Sequence, residues 1–278
     1  MIHSVHDTYT LRSGGALPAV GYGVWDDTFA QDTYTQVRNA LDVGYRHIDT
    51  AAFYRNEEAV GDAVRDSDVP REDIFITTKI WPTEFVRADE AFSDSMKKLH
   101  LDYVDMYMLH WPGVDEALML NVWEKMIAWR EEGRIRALGG SNLHEIHMNI
   151  IEQKTGVPVE NDQIELHPWR QQRELAAWCK KHDILVTAWG PLFHGHLKEE
   201  PLLDEIGARY GVSAAQATLH WHVRHGNIII PKSSKKERMI SNLDILDFTL
   251  SDEDMALIDG LDGKGSFGFD AMTFDGNE

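Results

Sequence analysis

The sequence predicts an α/β protein folded as a (β/α)₈ TIM barrel, and two observations support this prediction. Strand-like and helix-like segments alternate along the 278 residues, and eight strands are counted when VGYG is taken as the first. Several of these strands, such as IFITT, VDMYML and NIIIP, are nearly continuous apolar runs, which is typical of parallel strands buried on both faces. The rival fold, a doubly wound dinucleotide-binding sheet, would need G-x-G-x-x-G after an early strand, and GYGVWD lacks the third glycine.

The predicted elements follow one another without a break in composition, so residues 1–278 are expected to form one domain. A β-hairpin around Gly14-Gly15 precedes the barrel. The later barrel strands are YRHIDT, DIFITTK, DYVDMYMLH, RIRALGGS, VENDQIEL, DILVTAWG and NIIIPKS. The helices are QDTYTQVRNALDVG, 57–65, 87–99, 121–132, 144–153, 171–182, 202–210 and one opened by Ser213, with Gln216 at capping-box spacing. An extra helix, LSDEDMALIDGL with Ser251 as N-cap, and the tail GSFGFDAMTFDGNE end the chain.

Composition excludes several classes of partner. The net charge of −19 repels phosphate backbones and anionic lipid surfaces, so neither a nucleic acid nor a membrane is expected as a partner. The single cysteine, Cys179, rules out an intramolecular disulfide and is expected to pack in the core. The N-terminus lacks a signal-peptide pattern and no apolar run approaches 18 residues. A cytoplasmic, soluble and monomeric protein is therefore expected.

Fourteen histidines raise the question of a metal site. The spacings that resemble ligand pairs are those of His144 and His147, His194 and His196, and His220, His222 and His225. The last three lie in a predicted helix, where residues i and i+2 do not share a face, so at most one pair could meet. No metal is therefore expected.

Polar side chains end successive predicted strands. In a TIM barrel the chemistry lies at the carboxyl ends of the strands, where side chains from different strands converge. Asp49, Lys79 and His110 end three successive strands, and Tyr54 lies in the loop directly above Asp49. The later strand ends carry Ser141-Asn142, Gln163, Trp189 and Lys232-Ser233. Each of these residues alone has an ordinary structural explanation, and only their shared position indicates a site.

The types of these residues suit proton transfer to a carbonyl oxygen. A free tyrosine has a pKa near ~10, which is too high for efficient donation and return of a proton at neutral pH. A lysine ammonium beside the phenol is expected to lower that pKa, and a carboxylate keeps the lysine charged and oriented. A neighbouring histidine would hydrogen-bond the substrate oxygen. The set predicts an acid that works together with a separate nucleophile.

Long motifs resemble the aldo-keto reductase family, in particular the bacterial 2,5-diketo-D-gluconate reductase and glyoxal or methylglyoxal reductase type. The segments that carry the resemblance run in order from about Gly21 to Leu261. They are GYRHIDTAAFYRNEEAVG, the lysine of IFITTK, LDYVDMYMLHWPG, GGSN, DQIELHP and IPKSSKKERMISNLDILDFTLSDEDM. The resemblance implies a barrel that binds NADPH in an extended form without a Rossmann fold, which agrees with the missing glycine fingerprint.

The resemblance also implies roles. Tyr54 would be the general acid, Lys79 and Asp49 would tune it, and His110 would orient the carbonyl for hydride transfer from the nicotinamide. Ser141, Asn142 and Gln163 would hold the carboxamide, and Trp189 would stack on the ring. Lys232, Ser233 and Arg238 would bind the adenosine 2′-phosphate, with Asn242 near the adenine, which favours NADPH over NADH. The aromatics expected to line a pocket for a small carbonyl substrate are Trp25, Phe53, Trp81 and Trp111.

Some positions depart from the family pattern. The usual AYSPL reads AWGPL, with Trp189 in place of the stacking tyrosine, and GVSNF reads GGSNL. The common Asn-Gln pair reads Asp162-Gln163, and Ser241 stands where glutamate often precedes Asn242. None of these departures involves Asp49, Tyr54, Lys79 or His110.

Two other functions could use the same barrel. A cofactor-binding sensor or scaffold, like the potassium-channel β subunits, would use the same barrel with incidental turnover. An aldolase or isomerase using Lys79 as a Schiff base would leave Lys232, Ser233 and Arg238 without a ligand. The intact set of Asp49, Tyr54, Lys79 and His110 favours an NADP(H)-dependent oxidoreductase.

Overall fold

The computed structural model describes residues 2–25 and 32–277 and shows eight parallel strands arranged as a barrel. A short antiparallel hairpin, β1 (Thr8–Thr10) and β2 (Ala16–Pro18), comes first. The barrel strands are β3 (Tyr22–Gly23), β4 (His47–Asp49), β5 (Phe75–Ile80), β6 (Val104–Leu109), β7 (Ile135–Ser141), β8 (Asn161–Glu165), β9 (Leu185–Trp189) and β10 (Ile228–Ile229). They pair in sequence order, and a parallel bridge between Val20 and Ile229 closes the circle. The predicted barrel and hairpin are confirmed.

Ten α-helices are present in the described part of the chain. They are α1 (Thr33–Val43), α2 (Glu57–Arg65), α3 (Ala88–Leu99), α4 (Glu116–Glu131), α5 (Glu145–Thr155), α6 (Arg173–Lys181), α7 (Pro201–Tyr210), α8 (Ala214–Arg224), α9 (Lys236–Leu243) and α10 (Asp252–Asp259). Ser213 and Gln216 form the predicted capping box, and Ser251 caps α10 by accepting from the Asp254 amide. No helix in the described ranges is long and apolar enough to cross a membrane.

Two helices differ from the sequence prediction. Helix α4 begins at Glu116 rather than at 121, because Asp115 caps it by accepting from the Leu118 amide at 3.0 Å. Helix α9 was not predicted. It has only eight residues and buries only Met239 and Asn242, so it is shorter than the window of about 11–18 residues in which a helical period is recognised.

The hairpin closes the amino-terminal end of the barrel. Leu11 and Leu17 pack against Phe75, Met106 and Met108 in one buried cluster. A larger cluster lies between the strands and the surrounding helices. With the bottom filled by apolar side chains, the open end is the carboxyl end of the strands, which we call the mouth.

The C-terminal segment, residues 265–277, lies across the mouth and is called the tail below. Ala271 and Phe274 of the tail are buried against Trp81 and Trp111. The position of these contacts makes the tail part of the mouth.

Candidate active site

A buried ion pair lies at the centre of the mouth. Lys79 Nζ donates to Asp49 Oδ1 at 2.6 Å and to the Thr50 carbonyl at 2.9 Å, and both side chains are inaccessible to solvent. Burial lowers the pKa of Lys79, and the adjacent carboxylate of Asp49 opposes that shift. A charge at this depth is tolerated only when it is paired, so the two residues depend on each other.

Gln163 supplies a hydrogen bond to the second carboxylate oxygen of Asp49. Its Nε2 donates to Asp49 Oδ2 at 2.7 Å and thereby connects β8 with β4 across the barrel. Both oxygens of the carboxylate therefore have a donor, which leaves the ion pair in one orientation. The amide expected from the sequence to meet a cofactor is thus placed beside the ion pair.

Tyr54 and His110 lie next to this pair. Tyr54 belongs to the 3₁₀-helix Ala52–Tyr54, and its hydroxyl is 3.5 Å from His110 Nε2. The Lys79 ammonium is 5.2 Å from the centroid of the Tyr54 ring. The four predicted residues Asp49, Tyr54, Lys79 and His110, called the tetrad below, are therefore brought together.

The protonation of the tetrad differs in one respect from the sequence-based expectation. Burial, assisted by the negative charge of Asp49, raises the pKa of Tyr54 well above 10, instead of Lys79 lowering it. Burial, with Lys79 contributing, lowers the pKa of His110 well below 6.5. At neutral pH the phenol is therefore protonated and the imidazole is neutral. Among the described residues, His110 Nδ1 has no hydrogen-bond partner.

A chain of hydrogen bonds joins the next group of predicted residues. Trp189 Nε1 donates to Asn142 Oδ1 at 2.8 Å, and Asn142 Nδ2 donates to the His110 carbonyl and to Ser141 Oγ, each at 3.1 Å. Ser141 Oγ in turn donates to the Gln163 carbonyl at 2.8 Å. Asn142 has a φ of 59°, a left-handed conformation that asparagine tolerates better than most residues. The four predicted residues form one connected patch beside the tetrad.

The remaining predicted cofactor residues lie after β10. Ser233 is buried, and its carbonyl accepts from the Tyr22 hydroxyl at 2.6 Å, which fixes the loop to β3. Arg238 is exposed and Asn242 is buried one turn later on α9. Residues 232–238 carry four cations, Lys232, Lys235, Lys236 and Arg238, against the single carboxylate of Glu237. This loop is therefore locally basic on a strongly acidic protein.

The four predicted pocket aromatics line the mouth in a row. Phe53 stacks on Trp81 at 3.9 Å and on Trp25 at 5.8 Å between ring centroids. Trp81 meets the His110 ring edge-on at 4.9 Å. Trp111 completes the row through Phe274 of the tail, at 4.9 Å. These rings form an apolar wall on one side of the Tyr54 hydroxyl.

The histidines with ligand-like spacing have other partners. His220 Nδ1 lies 2.7 Å from the Ile245 carbonyl, and His222 Nε2 lies 3.3 Å from the Pro191 carbonyl. His225 lies 3.0 Å from Asp259. In the described part of the chain, no three His, Cys, Asp or Glu side chains are arranged to hold a metal ion.

Sequence reasoning missed several residues of the mouth. Phe269 and Phe274 contribute rings from the tail, and Glu165 binds the tail through its carboxylate. Glu165 ends β8, whose sequence NDQIE is mostly polar, so a rule that looks for a polar residue after an apolar run does not single it out. Its partners could not have been found, since they are more than 100 residues away in the chain.

Fold and site together describe a barrel enzyme with a buried Lys–Asp pair, a protonated tyrosine and a neutral histidine at its mouth. The Aldo/keto reductase family matches residues 13–263. An aldo-keto reductase of Mycolicibacterium smegmatis is 42% identical over 267 residues, which cover 95% of this chain and 97% of the relative. The methylglyoxal reductase DkgA of Escherichia coli is 39% identical over 268 residues, covering 96% and 97%.

A solved structure agrees with these relatives. The crystal structure of an aldo/keto reductase from Brucella melitensis has a TM-score of 0.87 and 43% identity, covering 92% of this chain and 99% of that one. The chain belongs to the aldo/keto reductase family. It is an oxidoreductase of the kind that reduces carbonyl groups.

Proposed function

We propose that the protein reduces small aldehydes and ketones to alcohols with NADPH, and that Tyr54 supplies the proton. The observation that supports this most directly is the pairing of the Tyr54 hydroxyl with His110 Nε2 at 3.5 Å, beside the buried Lys79–Asp49 ion pair. Two hydrogen-bonding groups so close together can both face one carbonyl oxygen. The row of aromatic rings next to them suits the rest of a small organic substrate.

The proton is transferred by a buried phenol. His110, being neutral, can donate from Nε2 to the carbonyl oxygen while Tyr54 donates its hydroxyl proton to the same atom. The tyrosinate left behind is stabilised by the Lys79 ammonium, which the Asp49 carboxylate holds in place. Reprotonation from solvent restores the phenol for the next turnover.

The chain's donor groups fit NADPH. When bound, NADPH would supply hydride from C4 of its nicotinamide to the carbonyl carbon. Ser141, Asn142 and Gln163 are hydrogen-bonded to one another and to their neighbours, and a carboxamide would share or replace some of these bonds. Trp189 would supply an aromatic face beside them. Lys232, Ser233 and Arg238 offer cations and a hydroxyl for a 2′-phosphate, with Asn242 on the next turn of α9 for the adenine. The local excess of positive charge in this loop favours the phosphorylated cofactor.

Small dicarbonyl compounds are the substrate class we propose first. The relative from Escherichia coli that is 39% identical is a methylglyoxal reductase. Within this one chain the tetrad and the residues beside it are brought together, so we propose that the full chain acts as a single domain and as a monomer.

NADPH oxidation at neutral pH tests the proposal. The panel consists of methylglyoxal, phenylglyoxal, a keto sugar acid, 4-nitrobenzaldehyde and a simple ketone, each repeated with NADH. We expect turnover with a preference for NADPH. Tight NADPH binding without turnover on any of these compounds would instead support a sensor or scaffold.

The cofactor assignment has its own test. Lys232→Gly and Arg238→His should weaken NADPH binding by about tenfold or more, because each removes a cation from the phosphate site, while NADH binding changes little. Dissociation constants measured by fluorescence quenching would show this. If both cofactors weaken alike, the 2′-phosphate does not bind here.

A further inference from the structure

The carboxylate of Glu165, the last residue of β8, gathers donors from the tail. Its Oε1 accepts from the Phe267 amide at 2.6 Å, and its Oε2 accepts from the Ser266 hydroxyl at 2.7 Å and from the Gly268 amide at 3.1 Å. His167 Nε2 lies 2.9 Å from Oε1 on the barrel side. Three consecutive tail residues are thereby bound to one side chain that is only 3% exposed.

The tail is also held at its far end. The Trp81 indole Nε1 donates to the Gly276 carbonyl at 2.9 Å. Between the two attachment points, Phe274 packs edge-on against Trp81, with ring centroids 5.5 Å apart, and stacks on Phe269 at 4.4 Å. Both attachments together place these two rings beside the aromatic row of the mouth.

Apolar burial alone holds little of the tail. Only Ala271 and Phe274 have buried apolar side chains, while Phe267, Phe269 and Met272 are 38%, 45% and 50% exposed. Hydrogen bonds to an ionised acceptor are about twice as strong as those between neutral groups. The first part of the tail is therefore restrained by the contacts to Glu165, together with the Phe267 ring, which stacks on His196 with ring centroids 5.0 Å apart.

Glu165 stays ionised at all pH values at which the protein would work. Burial by itself raises the pKa of Glu165, but hydrogen bonds from His167, Phe267, Ser266 and Gly268 outweigh it and lower the pKa to about 2. The side chain of Arg170 also lies near, with Nε 3.5 Å from Oε2. The carboxylate is thus a permanent acceptor for the tail.

We propose that Glu165 is a positioning residue that sets substrate selectivity by holding the tail, so that Phe269 and Phe274 form the outer wall of the substrate pocket. This inference rests on the proposed carbonyl reductase function. The tail approaches the assigned nicotinamide side as well, because a Cβ on Gly268 would lie 3.0 Å from the Trp189 ring. A cavity of about 320 Å³ remains under the tail between Trp111, Asn142 and Trp189. Release of the tail would open this space to larger substrates.

Two variants test the contact from both sides. Glu165→Gln keeps the size of the side chain but removes its charge and turns an amide nitrogen towards the donors of the tail. Ser266→Ala removes one donor from the exposed tail and leaves the barrel unchanged, so it is informative even if the first variant folds poorly. Met272→Ala is the matched control, because Met272 is a half-exposed tail residue outside these contacts.

Hydrogen exchange and steady-state kinetics are the readouts. In Glu165→Gln we expect exchange of the Phe267 and Gly268 amides to rise about tenfold, because hydrogen bonds to a charged group are lost. The KM for methylglyoxal should rise about tenfold with kcat within about twofold, whereas 4-nitrobenzaldehyde should lose no more than about twofold in kcat/KM. Ser266→Ala should move both readouts in the same direction by about threefold, and Met272→Ala should change neither.

The outcomes separate this inference from the proposed function. Unchanged amide exchange in Glu165→Gln overturns the inference while leaving the reductase function untouched. A uniform loss of kcat and of kcat/KM for both substrates, with faster exchange, also overturns it, since Glu165 would then support the whole site rather than selectivity. If the wild-type protein oxidises NADPH with neither compound, the proposed function fails, and the selectivity role fails with it.

Discussion

The half of the mouth formed by β4, β5 and β6 is built differently from the half formed by β8 and the tail. In the first half, which contains the tetrad, the central contact joins neighbouring strands: Lys79 of β5 binds Asp49 of β4. In the second half, Glu165 of β8 binds residues 266–268, about a hundred positions further along the chain. One half is assembled within the sheet, and the other only when the chain end returns to it.

This difference indicates which half of the mouth should tolerate amino-acid substitutions. The tetrad half places charges out of contact with water, so each member depends on its partner for stability as well as for chemistry. In the tail half, two of the donors to Glu165 are main-chain amides, which do not depend on the side chain of the residue that carries them. The tail is also mostly exposed, so substitutions in it should be tolerated more readily. Changes in the first half should therefore abolish turnover, and changes in the second half should alter which substrates are used.

The largest effect is expected in the tetrad half. Tyr54→Phe removes the proposed proton donor while keeping the ring, so kcat for methylglyoxal should fall about 10³-fold. NADPH affinity, measured by fluorescence titration, should stay within about twofold because the hydroxyl is not among the groups proposed to hold the cofactor. Retention of a tenth or more of the wild-type kcat would show that another group supplies the proton.

A stability measurement examines the buried ion pair. Lys79→Met leaves the Asp49 carboxylate buried without its cation, and the free energy of unfolding should fall by about 3–5 kcal/mol. The double variant Asp49→Asn with Lys79→Met has no charge at these two positions and should recover part of the lost free energy of unfolding. Urea denaturation of both variants gives the comparison. A double variant no more stable than the single one contradicts the mutual dependence of the pair.

The pH dependence should show no titration of His110, Tyr54 or Glu165 near neutral pH. His110 is neutral because its pKa is lowered from 6.5, so it gains a proton only well below that pH, and Tyr54 keeps its proton because its pKa is raised above 10. For Glu165 the pKa falls from 4.5 to about 2, so its stabilisation of the tail is complete above 4.5 and is lost only as the pH falls towards 2.

Kinetics with NADPH saturating provide the check. Neither kcat nor KM for methylglyoxal should show an inflection near pH 6.5, because His110 is neutral and Glu165 is ionised on both sides of that pH. An acid limb in kcat with an apparent pKa near 6.5 would assign a titrating role to His110 and contradict its neutral state in the buried site.

The smallest effect is expected where the tail touches Trp189 of β9. In Gly268→Ala, the added Cβ would lie 3.0 Å from the Trp189 ring and 3.1 Å from Glu165 Oε2, so one of them must shift by a few tenths of an ångström. We expect KM for methylglyoxal to rise about two- to threefold with kcat unchanged. Gly265→Ala is the matched control, since its Cβ meets only Trp169, at 4.0 Å. Equal effects of the two substitutions would mean that the contact with Trp189 is unimportant.

Much of the fold and of the tetrad could be predicted from local patterns. Buried parallel strands appear as apolar runs, and the polar residues that end them converge because all strands of a barrel point the same way. That rule identifies Asp49, Lys79 and His110, the position of Tyr54 in the loop above Asp49 identifies the phenol, and the family resemblance supplies their roles. Helix α9 was missed, because its eight residues are fewer than the window of about 11–18 residues in which a helical period is recognised.

The sequence by itself determined the barrel, its hairpin and the presence of Asp49, Lys79 and His110 at strand ends. Those features depend on residue type and on spacing along the chain. Only the tertiary structure decided the direction of the Tyr54 pKa shift, since burial outweighs the nearby lysine and no local pattern reports burial. It also decided that Gln163 binds Asp49 across the barrel and that Glu165 holds the tail. Main-chain amides carry no sequence signature, so a site built from them is visible only once the chain has folded.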